Sequence, residues 1–204
     1  MEQTKQYEYV DLGLPSGLKW AKCNVGATSE TDYGDYFQWG STEPNTADEC
    51  NWADAPFNNG SDSYNKEYFT THKSEWLDDN GNLKPEFDAA RAIMGGDWRM
   101  PTEAEFDELL SGTTNEWFED FNGTGVNGRK FTSKTDTSKY IFIPAAGFRT
   151  NGSVNYVDIY GDVWASSLDI SNPDYAWILN LNSGVCCMGY SYRYDGKSVR
   201  GVFD

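Results

Sequence analysis

An α+β fold with an antiparallel sheet is what this chain predicts, on three observations. Helical periodicity and capping fall in the first half and strand-like segments in the second, and runs of helices followed by runs of strands belong to α+β rather than parallel α/β folds. Aromatic residues make up 16% and glycines number 20, so with aliphatic side chains scarce the core must draw heavily on Trp and Tyr between frequent turns. At 204 residues the chain is long enough for a sizeable core and short enough for one domain over 1–204.

Residues 7–11 and 18–24 alternate as short strands around the turn residues of Gly13-Leu-Pro-Ser-Gly17. Residues 29–39 predict a short helix with Tyr33, Tyr36 and Phe37 on one face, followed by a long loop over 40–60, rich in Asn, Asp, Pro and Gly. Residues 64–72 form a brief element, Asn80-Gly81 a tight turn, and 86–94 a helix. The sharpest local signal starts at Thr102, which with Glu105 makes a capping box ahead of an apolar stripe of Phe106, Leu109 and Leu110. Strands follow over 117–121, 129–133, 140–144, 163–167, 176–182, 186–192 and 198–203.

With 16 basic against 32 acidic side chains the formal charge is -16, which repels phosphate backbones and anionic lipids and excludes nucleic acid as a partner. No apolar run reaches the roughly 20 residues that span a bilayer, so no membrane insertion is expected. The polar start, 1–7, carries no export signal; either export does not use one or a leader has been removed. Cys23, Cys50, Cys186 and Cys187 match no zinc or redox spacing, so four free thiols, no metal and no cofactor are expected, with a Cys23–Cys50 bridge as the alternative. Ser166 and Ser167 have no histidine near them in sequence and no nucleophile elbow around them, so the chain is not read as an enzyme.

The most unusual stretch is Val185-Cys-Cys-Met-Gly-Tyr-Ser-Tyr-Arg-Tyr-Asp195, enclosed by a frame of Trp164, Ser166, Ser167, Ala176, Trp177, Asn182, Gly196, Ser198, Val199 and Arg200. No core or turn requirement asks for two adjacent cysteines, a Met, a Gly and three tyrosines in that order. Selection for surface chemistry accounts for it better, and tyrosine suits recognition because it offers a rigid ring and a hydroxyl at modest entropic cost. The alternative is that Tyr190 and Tyr192 are ordinary amphipathic sheet tyrosines. Strand alternation puts Ile178 and Asn180 opposite Trp177, Leu179 and Leu181; Ile178 is then either packed under a second layer or, as expected here, exposed for binding.

Together, Val10-Asp-Leu-Gly-Leu-Pro-Ser-Gly17, Asp32-Tyr-Gly-Asp-Tyr-Phe37 leading to Trp39-Gly40, Gly95-Gly-Asp-Trp-Arg-Met-Pro-Thr102, Pro144-Ala-Ala-Gly147, Trp164-x-Ser-Ser167 and Ser198-Val-Arg200 resemble the Fibrobacter major paralogous domain. The resemblance spans almost the whole chain. It implies a C-type-lectin-like fold of two helices, small antiparallel sheets and long loops, displaying a ligand-binding C-terminal face. That family includes the variable receptors of diversity-generating retroelements in gut bacteria and their phages. There, random replacement of template adenines turns Asn codons into codons for most residue types, but never Met, Lys or Trp.

Met188, Lys197, Trp164 and Trp177 would then be fixed. The variable, ligand-binding positions implied are Val163, Ala165, Ile178, Asn180, Val185, Cys186, Cys187, Gly189, Tyr190, Ser191, Tyr192, Tyr194 and Asp195, with Asp169, Ile170, Asp174 and Tyr175 in an adjoining loop. Val163 and Ala165 depart from the family's commoner Tyr and Ser. The ligand would be a surface protein or glycan, met by a domain displayed extracellularly on a bacterial cell or phage particle. The alternatives are a fixed-ligand adhesin-tip or carbohydrate-binding module, and a formylglycine-generating-type enzyme, whose spaced copper-holding cysteines the adjacent Cys186-Cys187 does not reproduce. Glu43-Pro44-Asn45 matches a tripeptide of calcium-dependent lectins but precedes the capped helix where the lectin motif follows it, and so reads as an acidic loop. Asp78-Asp-Asn-Gly81 lacks the spaced ligands of an EF-hand and reads as a solvated turn.

Overall fold

The computed structural model describes residues 7–204; of the polar N-terminal stretch, all but Tyr7 lies outside the described residues. The chain order is β1 (Tyr9–Asp11), β2 (Lys19–Asn24), α1 (Lys66–Trp76), α2 (Ala89–Met94), α3 (Glu103–Gly112), β3 (Thr113–Phe118), β4 (Gly128–Ser133), β5 (Tyr140–Pro144), β6 (Phe148–Thr150), β7 (Ser153–Asn155), β8 (Gly161–Leu168), β9 (Tyr175–Leu181), β10 (Cys186–Tyr192) and β11 (Arg200–Phe203). Helices precede most of the strands, and every strand pair is antiparallel, so the expected α+β class holds. Among the described residues, three α-helices stand where two were expected. Among the described residues, no helix is long and apolar enough to cross a membrane.

The sheets are β1-β2-β11, β3-β4-β5, β10-β9-β8 and the hairpin β6-β7. The last strand pairs with β2 near the start, so the two ends of the described chain close on each other. The β8-β9-β10 sheet lies between two apolar clusters. Trp164, Leu168, Ala176 and Ile178 enter one, with Trp39, Phe69 and Trp76; Val163, Ala165, Leu179 and Leu181 enter the other, with Trp20, Phe106 and Phe131.

The helix expected over 29–39 does not form. Asp32 accepts from the backbone N–H of Thr28 (3.0 Å) and of Gly34 (3.1 Å), and Gly34 sits at φ +73°, a left-handed conformation that interrupts a right-handed helix. The segment instead runs extended beside the C-terminal chain: Phe37 and Lys197 exchange N–H···O bonds of 2.9 Å in both directions, and Trp39 N–H donates to Arg193 O at 3.1 Å. Its rings Tyr36, Phe37 and Trp39 are buried. The β6-β7 hairpin was also not foreseen, although its turn is an Asn151-Gly152 pair with both residues at positive φ.

The long loop 40–60 is held by buried amides rather than by regular structure. Asn58 Nδ2 donates to Trp52 O and Ser61 O (both 2.8 Å) and Ser63 O (3.0 Å), while Gln38 Nε2 donates to Glu49 O (2.9 Å) and to Asn51 O and Tyr194 O (both 3.1 Å). Polar loop sequence thereby acquires one conformation, because these two amides serve six backbone carbonyls of the loop and its surroundings.

The capping box forms as expected: Thr102 Oγ1 accepts Glu105 N–H at 3.3 Å, and Thr102 N–H donates to the Glu105 carboxylate at 2.8 Å. Arg99 clamps the same carboxylate with bonds of 2.8 and 2.7 Å. Burial alone would push Glu105 up, but the Arg99 clamp and the Thr102 contacts outweigh it and hold the carboxyl below its ordinary value. A carboxyl depressed on folding contributes stability above its unfolded pKa, and that contribution is lost as pH falls through the folded value. Thr102→Ala should cost about 1 kcal/mol in denaturant unfolding at neutral pH. Glu105→Gln should flatten the acid limb of the stability curve; an unchanged acid limb would show that the clamp contributes nothing.

Candidate ligand-binding face

The β9-β10 hairpin carries most of the expected recognition residues, and its register decides where each points. Cys186, Met188, Tyr190 and Tyr192 stand opposite Leu181, Leu179, Trp177 and Tyr175 on one side; Cys187, Gly189 and Ser191 stand opposite Asn180, Ile178 and Ala176 on the other. On the first side Cys186 and Met188 pack against the core cluster of Phe106 and Leu179, and toward the far end of the hairpin the row becomes aromatic.

That row is continuous. Trp177 and Tyr190 have centroids 6.4 Å apart, Tyr190 and Tyr175 5.1 Å, and Tyr175 stacks on Tyr192 at 4.4 Å. Tyr192 stacks on Tyr194 at 5.3 Å, Tyr194 meets Trp52 at 5.0 Å, and Trp52 meets Tyr64 at 5.5 Å. Each such pair adds about 0.5–1.5 kcal/mol beyond its buried area, which fixes the rings relative to one another. Tyr190 (59%) and Tyr192 (39%) are exposed, while Trp177, Tyr175, Tyr194 and Trp52 are half-buried.

Beneath the Trp52–Tyr64 end of this row lies Arg193, fully buried, its guanidinium 4.2 Å from the centre of the Phe69 ring, 5.6 Å from that of Trp52 and 5.5 Å from that of Tyr64. Its Nε donates to Pro173 O at 2.8 Å, tying down the loop before β9. Burial lowers the guanidinium to about 10, still well above neutrality, so a full cation sits among Trp39, Trp52, Tyr64 and Phe69.

On the opposite side several expected contact residues are engaged internally. Asn180 Nδ2 donates to Asp162 Oδ1 at 2.6 Å; the buried Lys197 Nζ reaches Asp162 Oδ2 at 2.8 Å and lies 3.9 Å from Asp195; Ser191 Oγ donates to Asp195 Oδ2 at 2.8 Å. Asp195 is buried. Asp169 is buried too, accepting from the N–H groups of Ser171 and Asn172 to close its own loop.

Val163, Ala165 and Ile178, expected on the ligand-binding face and Ile178 as exposed, are corrected to core. All three are buried, Ile178 at 4% exposure, because the sheet is covered on both faces here and alternation separates two apolar clusters instead of core from solvent. Val185 and Cys187 are exposed, and Gly189, Ser191 and Asp174 half-buried. Ile170 is exposed at 69% and lines a cleft of about 590 Å³ with Leu77 and Pro173, which none of the tyrosines enters. Trp52 and Tyr64 were missing from the expected face. The signal for them was the presence of large rings inside an otherwise Asn- and Asp-rich segment.

All four cysteines are free thiols. Burial pushes Cys186 up to about 11, whereas its neighbour Cys187 points to the other side of the strand, so the two sulfurs do not converge. Among the described residues no three His, Cys, Asp or Glu side chains gather to hold a metal ion. In the Glu43-Pro44-Asn45 tripeptide, Asn45 Oδ1 accepts the Gln38 N–H at 2.8 Å and so organises the loop. Ser167 Oγ accepts the Glu103 N–H at the start of α3 and donates to Asn82 Oδ1, a capping role.

Comparison with protein-family models found no match, and no curated protein or solved structure matched significantly.

Two measurements test this geometry. In thiol labelling at neutral pH, Cys187 should react first and Cys187→Ser should remove the fast phase, while Cys50, pushed by burial up to about 12, should react only on unfolding. Tyr175 is raised to about 12, first by its hydrogen bond to Tyr192, so Tyr192→Phe should bring its midpoint back toward 10 in an NMR titration. Because the folded pKa is the higher one, the stabilisation is complete below about pH 10 and is lost as pH rises through about 12. An unmoved midpoint would disprove the Tyr175–Tyr192 hydrogen bond, the ring stacking being kept by Phe.

Proposed function

We propose that this domain is a non-catalytic receptor, C-type-lectin-like in fold, whose C-terminal face binds a surface protein or glycan. The observation that carries the reading is the row of rings from Trp177 to Trp52, partly open to solvent on a tightly packed frame. Large rigid rings are the residues that dominate recognition energetics, and here their conformational entropy is already spent in the free protein. The Tyr190 and Tyr192 hydroxyls supply polar specificity at the open edge of the row.

The face is diversified by a retroelement in this proposal, and the domain is displayed on a bacterial cell or phage. Side chains at the exposed positions can change without disturbing the packed layers beneath, which is what such diversification requires. A fixed-ligand adhesin-tip or glycan-binding module would use the same row. The formylglycine-generating-type enzyme is disfavoured because Cys186 and Cys187 project from opposite sides of β10.

Sequencing the 3′ end of the gene and its flanks separates the first two readings. A nearby near-copy should differ only where it carries adenine, at codons for exposed or half-buried positions such as Asp174, Tyr175, Val185, Cys187, Tyr190 and Tyr192, sparing Val163, Ala165 and Ile178. Absence of any such copy would eliminate diversification and leave a fixed ligand.

A further inference from the structure

β10 is the free edge of its sheet. Its other neighbours are accounted for: β9 pairs on one side, and at the far edge β8 is covered by Leu83 N–H donating to Ser166 O and Trp164 N–H donating to Ser198 O. Among the described residues no strand or bridge pairs with the outer edge of β10.

Two hydrogen bonds at the ends of the hairpin fix which backbone groups face outward. Asn182 N–H donates to Val185 O and Arg193 N–H donates to Asp174 O, so the C=O of Val185 and the N–H of Arg193 face β9, and by period two the polar groups of 187, 189 and 191 between them do as well. The N–H and C=O groups of Cys186, Met188 and Tyr190 therefore point away from the sheet, as does the C=O of Tyr192, which accepts the Asp195 N–H instead. Proteins usually blunt such an edge with Lys, Pro, a bulge or an inward charge. β10 has none of these: its sequence is uncharged and its seven-residue register runs unbroken.

We propose that β10 binds its partner by strand addition, taking up an extended peptide segment of a protein ligand that carries basic side chains. This rests on the receptor reading above and names the partner as protein. Backbone pairing at 186, 188 and 190 would supply affinity that does not depend on side-chain identity, while the tyrosine row beside the edge would read alternate side chains of the incoming strand. The partner's basic character follows from charge. The chain carries -16 overall, and α3, which packs beside β10, adds the exposed Asp107 and the half-buried Glu103. The same charge disfavours a second copy as the occupant, since edge-to-edge pairing would bring two strongly negative chains together.

The test uses the whole domain and a synthetic octapeptide alternating valine and lysine. In the free protein the amides of Met188 and Tyr190 should exchange with deuterium far faster than those of Cys187 and Gly189, and the peptide should protect them. Tyr190→Pro, which deletes an outward N–H and places a ring on the edge, should bind about tenfold more weakly than Tyr190→Ala, which loses the same phenol but keeps the N–H. N-methylation of alternate peptide residues should abolish binding. Equal affinity of the Pro and Ala variants would overturn strand addition while leaving side-chain recognition intact. So would no binding at millimolar peptide, or outward amides already protected in a peptide-free dimer, which would assign the edge to a second copy. The gene comparison is independent of all these outcomes.

Discussion

Two indoles hold the molecule's centre by reaching across to each other's chain segment. Trp39 Nε1 donates to Ala165 O at 2.9 Å, and Trp164 Nε1 donates to Phe37 O at 2.8 Å, both fully buried. Phe37 O accepts the Lys197 N–H as well, so breaking either indole bond leaves above all a buried Trp N–H unpaired, at a cost of about 1–3 kcal/mol. The reciprocal pair also fixes the distance between residues 37–39 and β8. The Phe37–Lys197 backbone pair, the Trp39–Arg193 bond and thus the placement of the segment after β10 all follow from that distance. The tyrosine row is positioned by this arrangement rather than by the β9-β10 hairpin alone.

A second constraint is how an acidic chain with long loops serves its carbonyls. The most deeply buried cations, Arg193, Lys197 and Arg200, sit in the C-terminal segment. Arg200 donates to Ala21 O (3.0 Å) and Phe142 O (2.9 Å), joining the sheets of β2 and β5, while Arg193 joins the loop at Pro173 to the aromatic layer. Burial lowers both guanidinium groups to about 10, which leaves them charged at neutral pH. In a fold with short strands, a buried guanidinium can replace several ladder bonds at once. The recognition surface accordingly rests on electrostatic and aromatic pinning more than on regular secondary structure.

The legible parts of this fold were those governed by local chemistry. Thr102 and Glu105 announce α3 because both partners of the capping box lie within one turn, and the strands at 140–144 and 186–192 announce themselves by composition. The segment 29–39 misled for the same reason in reverse. Its aromatic spacing fits a helix, but Asp32, Gly34 and the distant segment around Lys197 offered its backbone better partners. On the candidate face, Tyr190, Tyr192, Tyr194 and Tyr175 were readable from the sequence, whereas Trp52 and Tyr64 join them only through a loop folded back by Asn58.

The sequence by itself determined the α+β class, the capped helix, the anionic character and the aromatic tract after β9, since each depends on residue identity and on neighbours a few positions apart. The tertiary structure decided which members of that tract meet solvent. Alternation along β8 and β9 specifies two faces but not what covers them, and here both faces are covered. Val163, Ala165 and Ile178 became core, and Asn180 and Asp195 became parts of the Lys197 network, because burial is set by long-range packing between clusters that no local pattern encodes.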